Sequence, residues 1–569
     1  MKSTIYSNDA RYPLLGPAFL IFALVGPNAI YLSDLLAELS PGFDGALFAT
    51  RVVLLVIGLT LLLVSGAFML YRWTLARRLV HLALFFILLD VFYRVAYHGP
   101  VSPGLLLAVP QTSQLETLEL LAGHPALTLT LSLVALLAAL ALAAAWRTHI
   151  RPSSASCLKV GAAGLALVVI AGMSGRISLG TKGSCCASLL AKAAGVFPLD
   201  LAVSFGAVAR DSYRSRHEAT SRAAFNFPNP HLLNAASRQA REVYVIVVGE
   251  TSRRQNWSLF GYPRHTNPDL EKIVGDLVPY RMMSNATNTV LSLPMALTRA
   301  TPATRDRIRS EKSIVTLLKQ AGFETFWISN QEQPALPSNP IYKIAIEAEH
   351  VSFRGNSADR FDTNLLDRLD VAMMQMPEGG KAVIFLHMEG SHFSYEERYP
   401  PQFARFVNAK DLPTHLSDRQ RQLIDQYDNT VVFTDYVLAR VIGKLSSCDC
   451  AAGMMFFSDH GERLFDHGSS DSDFGHGFPG IARQEIEIPF VAWLSPIFQR
   501  TNPSLAFRFR ANARWVAELH DLFETIVDLT GVDYNHRSPN LSLFSEGWQR
   551  PVEVSVLSMD DKTVLLPVG

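Results

Sequence analysis

Five long apolar stretches occupy the first third of the chain, at about Leu14–Leu36, Val52–Tyr71, Leu79–Tyr97, Pro125–Trp146 and Leu158–Ile177. Each is close to the ~20 residues that carry a helix across ~30 Å of hydrocarbon, so the pattern predicts five membrane spans. The first is too long for the core of a cleaved signal peptide, and four more follow it. Lys2 and Arg11 precede the first stretch, Arg72, Arg77 and Arg78 follow the second, and Arg147, Arg151 and Lys159 flank the gap after the fourth. The intervening loops, Ala37–Thr50 and His98–His124, carry Glu38, Asp44, Glu116 and Glu119 but no Lys or Arg. This asymmetry predicts a cytoplasmic N-terminus. An odd number of spans then puts the rest of the chain outside the cytoplasmic (inner) membrane, in the periplasm if the source is a bacterium. Arg51, Asp90 and Arg94 lie at or inside these spans. Snorkelling would explain them near a span end, and Asp90 with Arg94 at i,i+4 could instead face a lipid headgroup.

Beyond the fifth stretch the pattern changes twice. Residues 178–241 are mixed: Asp200–Arg216 has helical spacing, with Phe205, Val208, Ala209 and Tyr213 among charges. This segment reads as a linker of surface helices, with an amphipathic stretch suited to a membrane face or to the following domain. From Glu242 onward, short apolar runs alternate with helical patterns. The runs are Val243–Val248, Glu324–Ile328, Ala382–His387, Gly453–Phe457 and Pro489–Leu494; helical patterns lie at Ser313–Ala321, Thr363–Met374 and Arg421–Leu445. The alternation predicts one α/β domain over residues 242–569, a mostly parallel sheet covered by helices.

Composition sharpens this division. Mean hydropathy is +0.17 although 18% of residues are charged, because the apolar residues are concentrated before about residue 178. The formal net charge of zero gives no electrostatic case for a nucleic-acid partner. The five cysteines have neither zinc-finger spacing nor a disulfide framework.

The candidate chemistry sits just after the apolar runs. Gly249-Glu250-Thr251-Ser252-Arg253 follows the first, His387 with Glu389-Gly390-Ser391-His392 follows the third, and Ser458-Asp459-His460-Gly461-Glu462 follows the fourth. A parallel sheet brings the carboxyl ends of its strands to one edge, where ligands bind. Glu250 alone would also suit the N-cap of a helix. Carboxylates and imidazoles delivered together from three strand ends form a ligand set for Zn²⁺ or Mn²⁺. A nucleophilic hydroxyl is expected in Ser284-Asn-Ala-Thr287-Asn-Thr289-Val-Leu-Ser292-Leu-Pro294, which leads into a helix whose N-terminus favours an alkoxide and a bound phosphate.

These motifs resemble the phosphoethanolamine transferases of bacterial envelopes, relatives of alkaline phosphatase and the sulfatases that include the mobile colistin-resistance enzymes. Gly249–Arg253, Asn256–Tyr262 and Arg264–Pro268 look like the opening motif of that family, Thr287–Pro294 is similar to its nucleophile segment, and Ser458–Glu462 and His476-Gly477 are similar to its metal motifs. The resemblance implies an alkaline-phosphatase-like soluble domain on a five-helix membrane anchor. It implies that the phosphorylated residue is the first threonine of the segment, Thr287. It further implies that Glu250, Thr287, Asp459 and His460 hold a tightly bound zinc, with His392 and His476 serving a second zinc or the substrate phosphate and His387 nearby. Asn330, Gln331 and Glu462 are implied substrate contacts. Two departures stand out: Ala286 replaces the usual glycine before the nucleophile segment, and only Cys448 and Cys450 remain of the cysteines expected in the soluble domain. Trp327-Ile-Ser-Asn330-Gln331 is more similar to members acting on lipopolysaccharide core sugars or glucans than to lipid A members.

The implied reaction takes phosphoethanolamine from phosphatidylethanolamine onto a threonine and then onto an envelope glycolipid or glycan such as lipopolysaccharide, with His392 or His476 protonating the leaving oxygen. Rival readings are a glycerol-phosphate transferase of the lipoteichoic-acid-synthase type and a catalytically inactive membrane scaffold or sensor. Sulfate-ester hydrolysis is disfavoured: it needs Cys or Ser followed by Pro two and Arg four positions later, and Ser292 is followed by Pro294 but then by Ala296.

Overall fold

The computed structural model describes residues 15–37, 43–70, 153–177, 192–233, 241–334, 339–355, 360–408, 410–466, 473–477, 480–558 and 562–568, with isolated positions between 87 and 136. The chain divides into two compact units, Met1–Leu107 with Leu115–Arg210, and Ala108–Gln114 with Asp211–Gly569.

In the first unit, α1 (Leu15–Ala37), α2 (Phe43–Leu70) and α3 (Ser154–Ile177) form where the first, second and fifth apolar stretches were predicted. Helix α4 (Leu199–Ala224) forms over the helical spacing at Asp200–Arg216. Among the described residues, two helical segments are long and apolar enough to cross a membrane, Phe48–Leu70 and Ser154–Gly172. The third and fourth predicted spans and the loop His98–His124 lie largely outside the described residues. Helices α2 and α3 meet backbone to backbone at two glycines: a Cβ on Gly164 would stand 2.7 Å from the Gly58 carbonyl oxygen. Small residues permit such close approach where lipid offers no hydrophobic driving force between helices. Arg94 does pair with Asp90, at 2.6 Å, but it also reaches Asp200 at 2.8 Å. All three side chains are buried, so this is an internal ion cluster of the unit and not a headgroup-facing pair. A charge in such surroundings needs a partner to offset its desolvation.

The second unit is built on an eight-stranded sheet. Its strands are β1 (Glu242–Gly249), β2 (Leu277–Met283), β3 (Glu324–Glu332), β4 (His350–Arg354), β5 (Lys381–His387), β6 (Ala451–Ser458), β7 (Glu487–Leu494) and β8 (Val516–Glu518). Their spatial order is β8-β2-β7-β6-β1-β5-β3-β4. Strands β6, β1, β5, β3 and β4 run parallel, β7 pairs antiparallel with both β6 and β2, and β8 lies parallel to β2. All five strands expected from apolar runs are present. Every residue of β1 and of β6 is buried, as a strand covered by helices on both faces must be. Alternate residues of β1 feed two different cores: Tyr244, Ile246 and Val248 face one, Val243, Val245 and Val247 the other.

The helices expected from periodicity also form, as α6 (Ile314–Gln320), α7 (Asn364–Gln375) and α8 (Asp418–Ser446). Helix α5 (Thr289–Leu297) precedes them and starts at the hydroxyl-rich segment. Helix α8 begins with a capping box between Ser417 and Gln420, which satisfies backbone donors that the first turn leaves open. Cys448 and Cys450 are joined by a disulfide just before β6. Strands β2, β4 and β8 and the C-terminal hairpin β9 (Glu553–Leu557) and β10 (Thr563–Pro567) have no counterpart in the sequence reading.

Candidate metal centre and nucleophile

Strand register assembles the centre. Gly249 is opposite Ser458 and Val248 is opposite His387, so the residues just beyond β1, β5 and β6 emerge side by side. Glu250, Asp459 and His460 each offer a ligand atom, all within 4.8 Å of one another, and all three residues are buried. His460 Nε2 lies 3.4 Å from Glu250 Oε1 and 3.4 Å from Asp459 Oδ2.

Electrostatics at this spot call for positive charge. Burial raises the Asp459 carboxyl to about 6, helped by the nearby Glu250 charge. Burial would also raise Glu250, but its hydrogen bond to His460 and the charges of His460, His392 and His387 hold it well below the usual carboxylate range. Burial would lower His460, yet the two carboxylates push its imidazole up to about 10. Asp459 Oδ2 is buried with no hydrogen-bond donor, and such an oxygen is costly unless a cation faces it. Two carboxylates and one imidazole are also the hard-to-borderline set that a divalent zinc or manganese ion accepts. The residues fit a metal.

Thr289 brings a hydroxyl that touches both Glu250 and His460. Its Oγ1 lies 3.1 and 3.2 Å from the two Glu250 carboxylate oxygens and 3.3 Å from His460 Nε2. Thr289 is also the first residue of α5, whose N-cap is Asn288 with its side chain accepting from the Leu291 amide. Thr287, which the sequence reading assigned to both the ligand set and the phosphorylated position, is fully buried. Its hydroxyl has no hydrogen-bond partner among the described residues. The structure sets Thr289 rather than Thr287 against Glu250 and His460, because Thr289 is the first helical residue whereas Thr287 precedes the cap.

The other expected residues divide. Gln331 Nε2 donates to Glu250 Oε2 at 3.3 Å and to the Met388 carbonyl at 3.0 Å. The His476 ring lies 4.2 Å from that of His460, centroid to centroid, and its Nδ1 is 3.2 Å from Glu462 Oε2. His387 Nδ1 is 3.2 Å from Ser329 Oγ, and burial holds its imidazole down at about 4. His392 follows β5 on the loop that runs past Glu250. Asn330 does not join them: it is buried and donates to Asp362 and to the Arg360 carbonyl. Alternation along β3 turns neighbouring side chains to opposite faces, so Gln331 reaches the centre and Asn330 cannot.

Two positions escaped the sequence reading. Thr251 has φ +55, a strained conformation for a β-branched residue and one found preferentially at functional sites. There its amide donates to Asp459 Oδ1 at 3.1 Å and its hydroxyl to Glu250 Oε1 at 2.9 Å. The Tyr427 hydroxyl holds this turn, donating to the Thr251 carbonyl and accepting from the Arg253 amide, each at 2.8 Å. Gly390 has φ +58, and a Cβ there would sit 2.7 Å from the Glu250 carbonyl oxygen, so the loop after β5 can lie against Glu250 only with glycine. Thr251→Val keeps the shape and removes the hydroxyl that orients Glu250. We expect it to weaken zinc binding by about 10–100-fold, measured by competition with a chelating dye. Unchanged affinity would remove Thr251 from the supporting shell.

The sulfatase family profile matches residues 242–532, and the chain belongs to that family. Among characterised relatives, the phosphoethanolamine transferase EptC of Escherichia coli O18:K1:H7 is 29% identical over 325 residues, 55% of each chain. The chain thus spans about half the length of that relative in the match. The periplasmic domain of Escherichia coli EptC, solved as a complex with zinc, is 26% identical with a TM-score of 0.54, covering 60% of this chain and 96% of that domain. The integral membrane protein lipooligosaccharide phosphoethanolamine transferase A of Neisseria meningitidis matches in fold with a TM-score of 0.73 at 20% identity, over 93% of this chain and 97% of that one. The family thus defines the fold of the second unit, and within it the chain is similar to phosphoethanolamine transferases.

Proposed function

We propose that the chain transfers phosphoethanolamine from phosphatidylethanolamine to an envelope glycolipid or glycan, lipopolysaccharide core or lipid A, with Thr289 as the nucleophile. One observation carries this reading: a threonine hydroxyl at a helix N-terminus stands within hydrogen-bond reach of Glu250 and His460 in a buried carboxylate–imidazole cluster. The similarity to phosphoethanolamine transferases supports the transferred group.

In the first half-reaction Thr289 Oγ1 attacks the phosphorus of the donor. A P–O bond to threonine forms, the P–O bond to diacylglycerol breaks, and the Thr289 proton is lost toward the carboxylate side of the cluster. His392 or His476 protonates the departing oxygen. In the second, a hydroxyl or phosphate oxygen of the acceptor attacks the same phosphorus, the P–O bond to Thr289 breaks, Thr289 takes its proton back from the carboxylate side, and the proton of an attacking hydroxyl returns to the imidazole that protonated diacylglycerol. A zinc ion, held by Glu250, Asp459 and His460 beside Thr289, would lower the threonine pKa and neutralise phosphoryl charge; a second would involve His392 and His476. Gln331, Glu462 and His387 line the approach as substrate contacts.

Residues 1–177 serve as an inner-membrane anchor, 178–241 as linker and 242–569 as the periplasmic catalytic domain. A donor that cannot leave the bilayer favours a tethered site, because tethering raises effective concentration. The test is the intact mass of the full-length protein after incubation with phosphatidylethanolamine or, separately, phosphatidylglycerol. A phosphoethanolamine adduct with release of diacylglycerol is expected from the first lipid alone. A glycerol-phosphate adduct from the second would reassign the enzyme to the lipoteichoic-acid type, and no adduct from either lipid with zinc bound would overturn the reading.

A further inference from the structure

Asn285 opens the segment that carries Thr289, and it is tied to parts of the chain 235 and 270 residues further on. Its Oδ1 accepts from the His520 amide at 2.9 Å, its Nδ2 donates to the Ser555 carbonyl at 3.0 Å, and its own carbonyl accepts from the Leu557 amide at 2.7 Å. Glu518, in β8, accepts from the Ser555 amide at 3.3 Å and lies 3.4 Å from Asn285 Nδ2. Asn285 is fully buried. The next residue, Ala286, forms an isolated parallel bridge with Leu557 and packs with Leu557 and Met295 in a small apolar cluster. On the other side of Asn285, the Ser284 hydroxyl donates to the Asp459 carbonyl at 2.5 Å.

The segment is therefore bracketed. Ser284 ties it to a strand-end metal ligand, and Asn285 ties it to the C-terminal hairpin and to the turn after β8. Between Asn285 and the cap residue Asn288 the Thr287 hydroxyl makes no bond among the described residues. The placement of Thr289 thus depends on the Asn288 cap immediately before it and on Asn285 further upstream. Truncating Asn285 would strand the His520 amide and the Ser555 carbonyl, a cost that local movement relieves.

We propose that Asn285 is a positioning residue through which the C-terminal hairpin and the β8 turn hold Thr289 Oγ1 in line with the reacting phosphorus. The proposal rests on the transfer reading above. Nucleophile placement is steeply felt: an error of ~1 Å can cost on the order of a hundredfold in rate.

The test uses the full-length chain in lipid nanodiscs, comparing parent, Asn285→Ala and Asn285→Asp. The aspartate keeps the acceptor for the His520 amide and loses the donor to Ser555. Two readouts are taken: diacylglycerol release from phosphatidylethanolamine per zinc-loaded molecule, and hydrogen exchange of residues 286–291. For Asn285→Ala, kcat is expected to fall about tenfold or more with KM within about twofold. Asn285→Asp, whose second oxygen faces the Ser555 carbonyl and Glu518 in place of a donor, should fall at least as far. Amides 286–291 should exchange about tenfold faster or more while β1 and β6 keep their protection. A structural role alone would lower Tm or folded yield and leave kcat per zinc-loaded molecule unchanged, and that result overturns the proposal. Should Asn285→Ala not fold, Asn285→Asp carries both readouts. Should the parent release no diacylglycerol, the transfer reading fails separately, and retained protection at 286–291 in the variants would then overturn the tether by itself.

Discussion

Thr289→Ala abolishes turnover while Thr287→Val leaves it nearly intact: this is the expected result with the largest effect. Loss of a nucleophile held in a preorganised site costs at least about a thousandfold in kcat, and Thr289→Ala also forms no phosphoethanolamine adduct in an intact-mass measurement. Thr289→Ser, which keeps the hydroxyl, retains part of the activity. Thr287→Val removes a buried hydroxyl that has no partner. Replacing an unsatisfied polar atom by an isosteric methyl is neutral or mildly stabilising, so kcat should stay within about twofold. An inactive Thr287→Val with a normal fold and zinc content would return the nucleophile to the first threonine and undo the geometric assignment.

Asp459→Asn carries the second large effect, and it separates metal binding from folding. In the metal-free protein, burial and the Glu250 charge raise the Asp459 carboxyl from 3.8 to about 6. A raised acid binds more protons folded than unfolded, so its contribution to stability falls as pH rises through that window. Above it the burial cost of the ionised Asp459 outweighs the help of the His460 imidazole 3.4 Å from Oδ2, and a metal ion there would offset the remainder. Metal-free Asp459→Asn should therefore be at least as stable as the parent at neutral pH. Zinc should stabilise only the parent, by about 4 kcal/mol when free zinc is a thousand times its Kd. Thermal unfolding with zinc and after chelation reads both statements. An equal zinc-dependent rise in Tm for the variant would remove Asp459 from the ligand set.

Much of the fold was legible because it rests on local pattern. Val243–Val248 and Gly453–Phe457 are uninterrupted apolar runs, and a strand buried on both faces has no other way to be written. Helix α8 showed its period over Arg421–Leu445, but its first turn and Ser417–Gln420 cap came only with the structure. The short strands β2 and β8 were not legible. Leu277–Met283 contains Pro279 and Arg281, and its place in the sheet comes from antiparallel pairing with β7, a long-range contact that local pattern does not encode.

The candidate site divides along the same line. Glu250, Asp459 and His460 stood in the sequence among the carboxylates and imidazoles that follow three recognisable strands, which a parallel sheet delivers to one edge, and the resemblance to the transferases singled them out. Chain order alone thus determined the ligand types and the edge at which they meet. Tertiary structure decided which of two threonines two residues apart meets them. That choice depends on where α5 begins, and its start is set by the Asn288 cap and by the ties of Asn285 to residues more than two hundred positions away. It also decided that Gln331 faces the centre while its neighbour Asn330 turns to Asp362, and that Thr251 holds a strained turn so that its amide and hydroxyl orient two carboxylates. Local pattern specifies which residues arrive at an edge; their distances and directions come from packing between segments far apart in the chain.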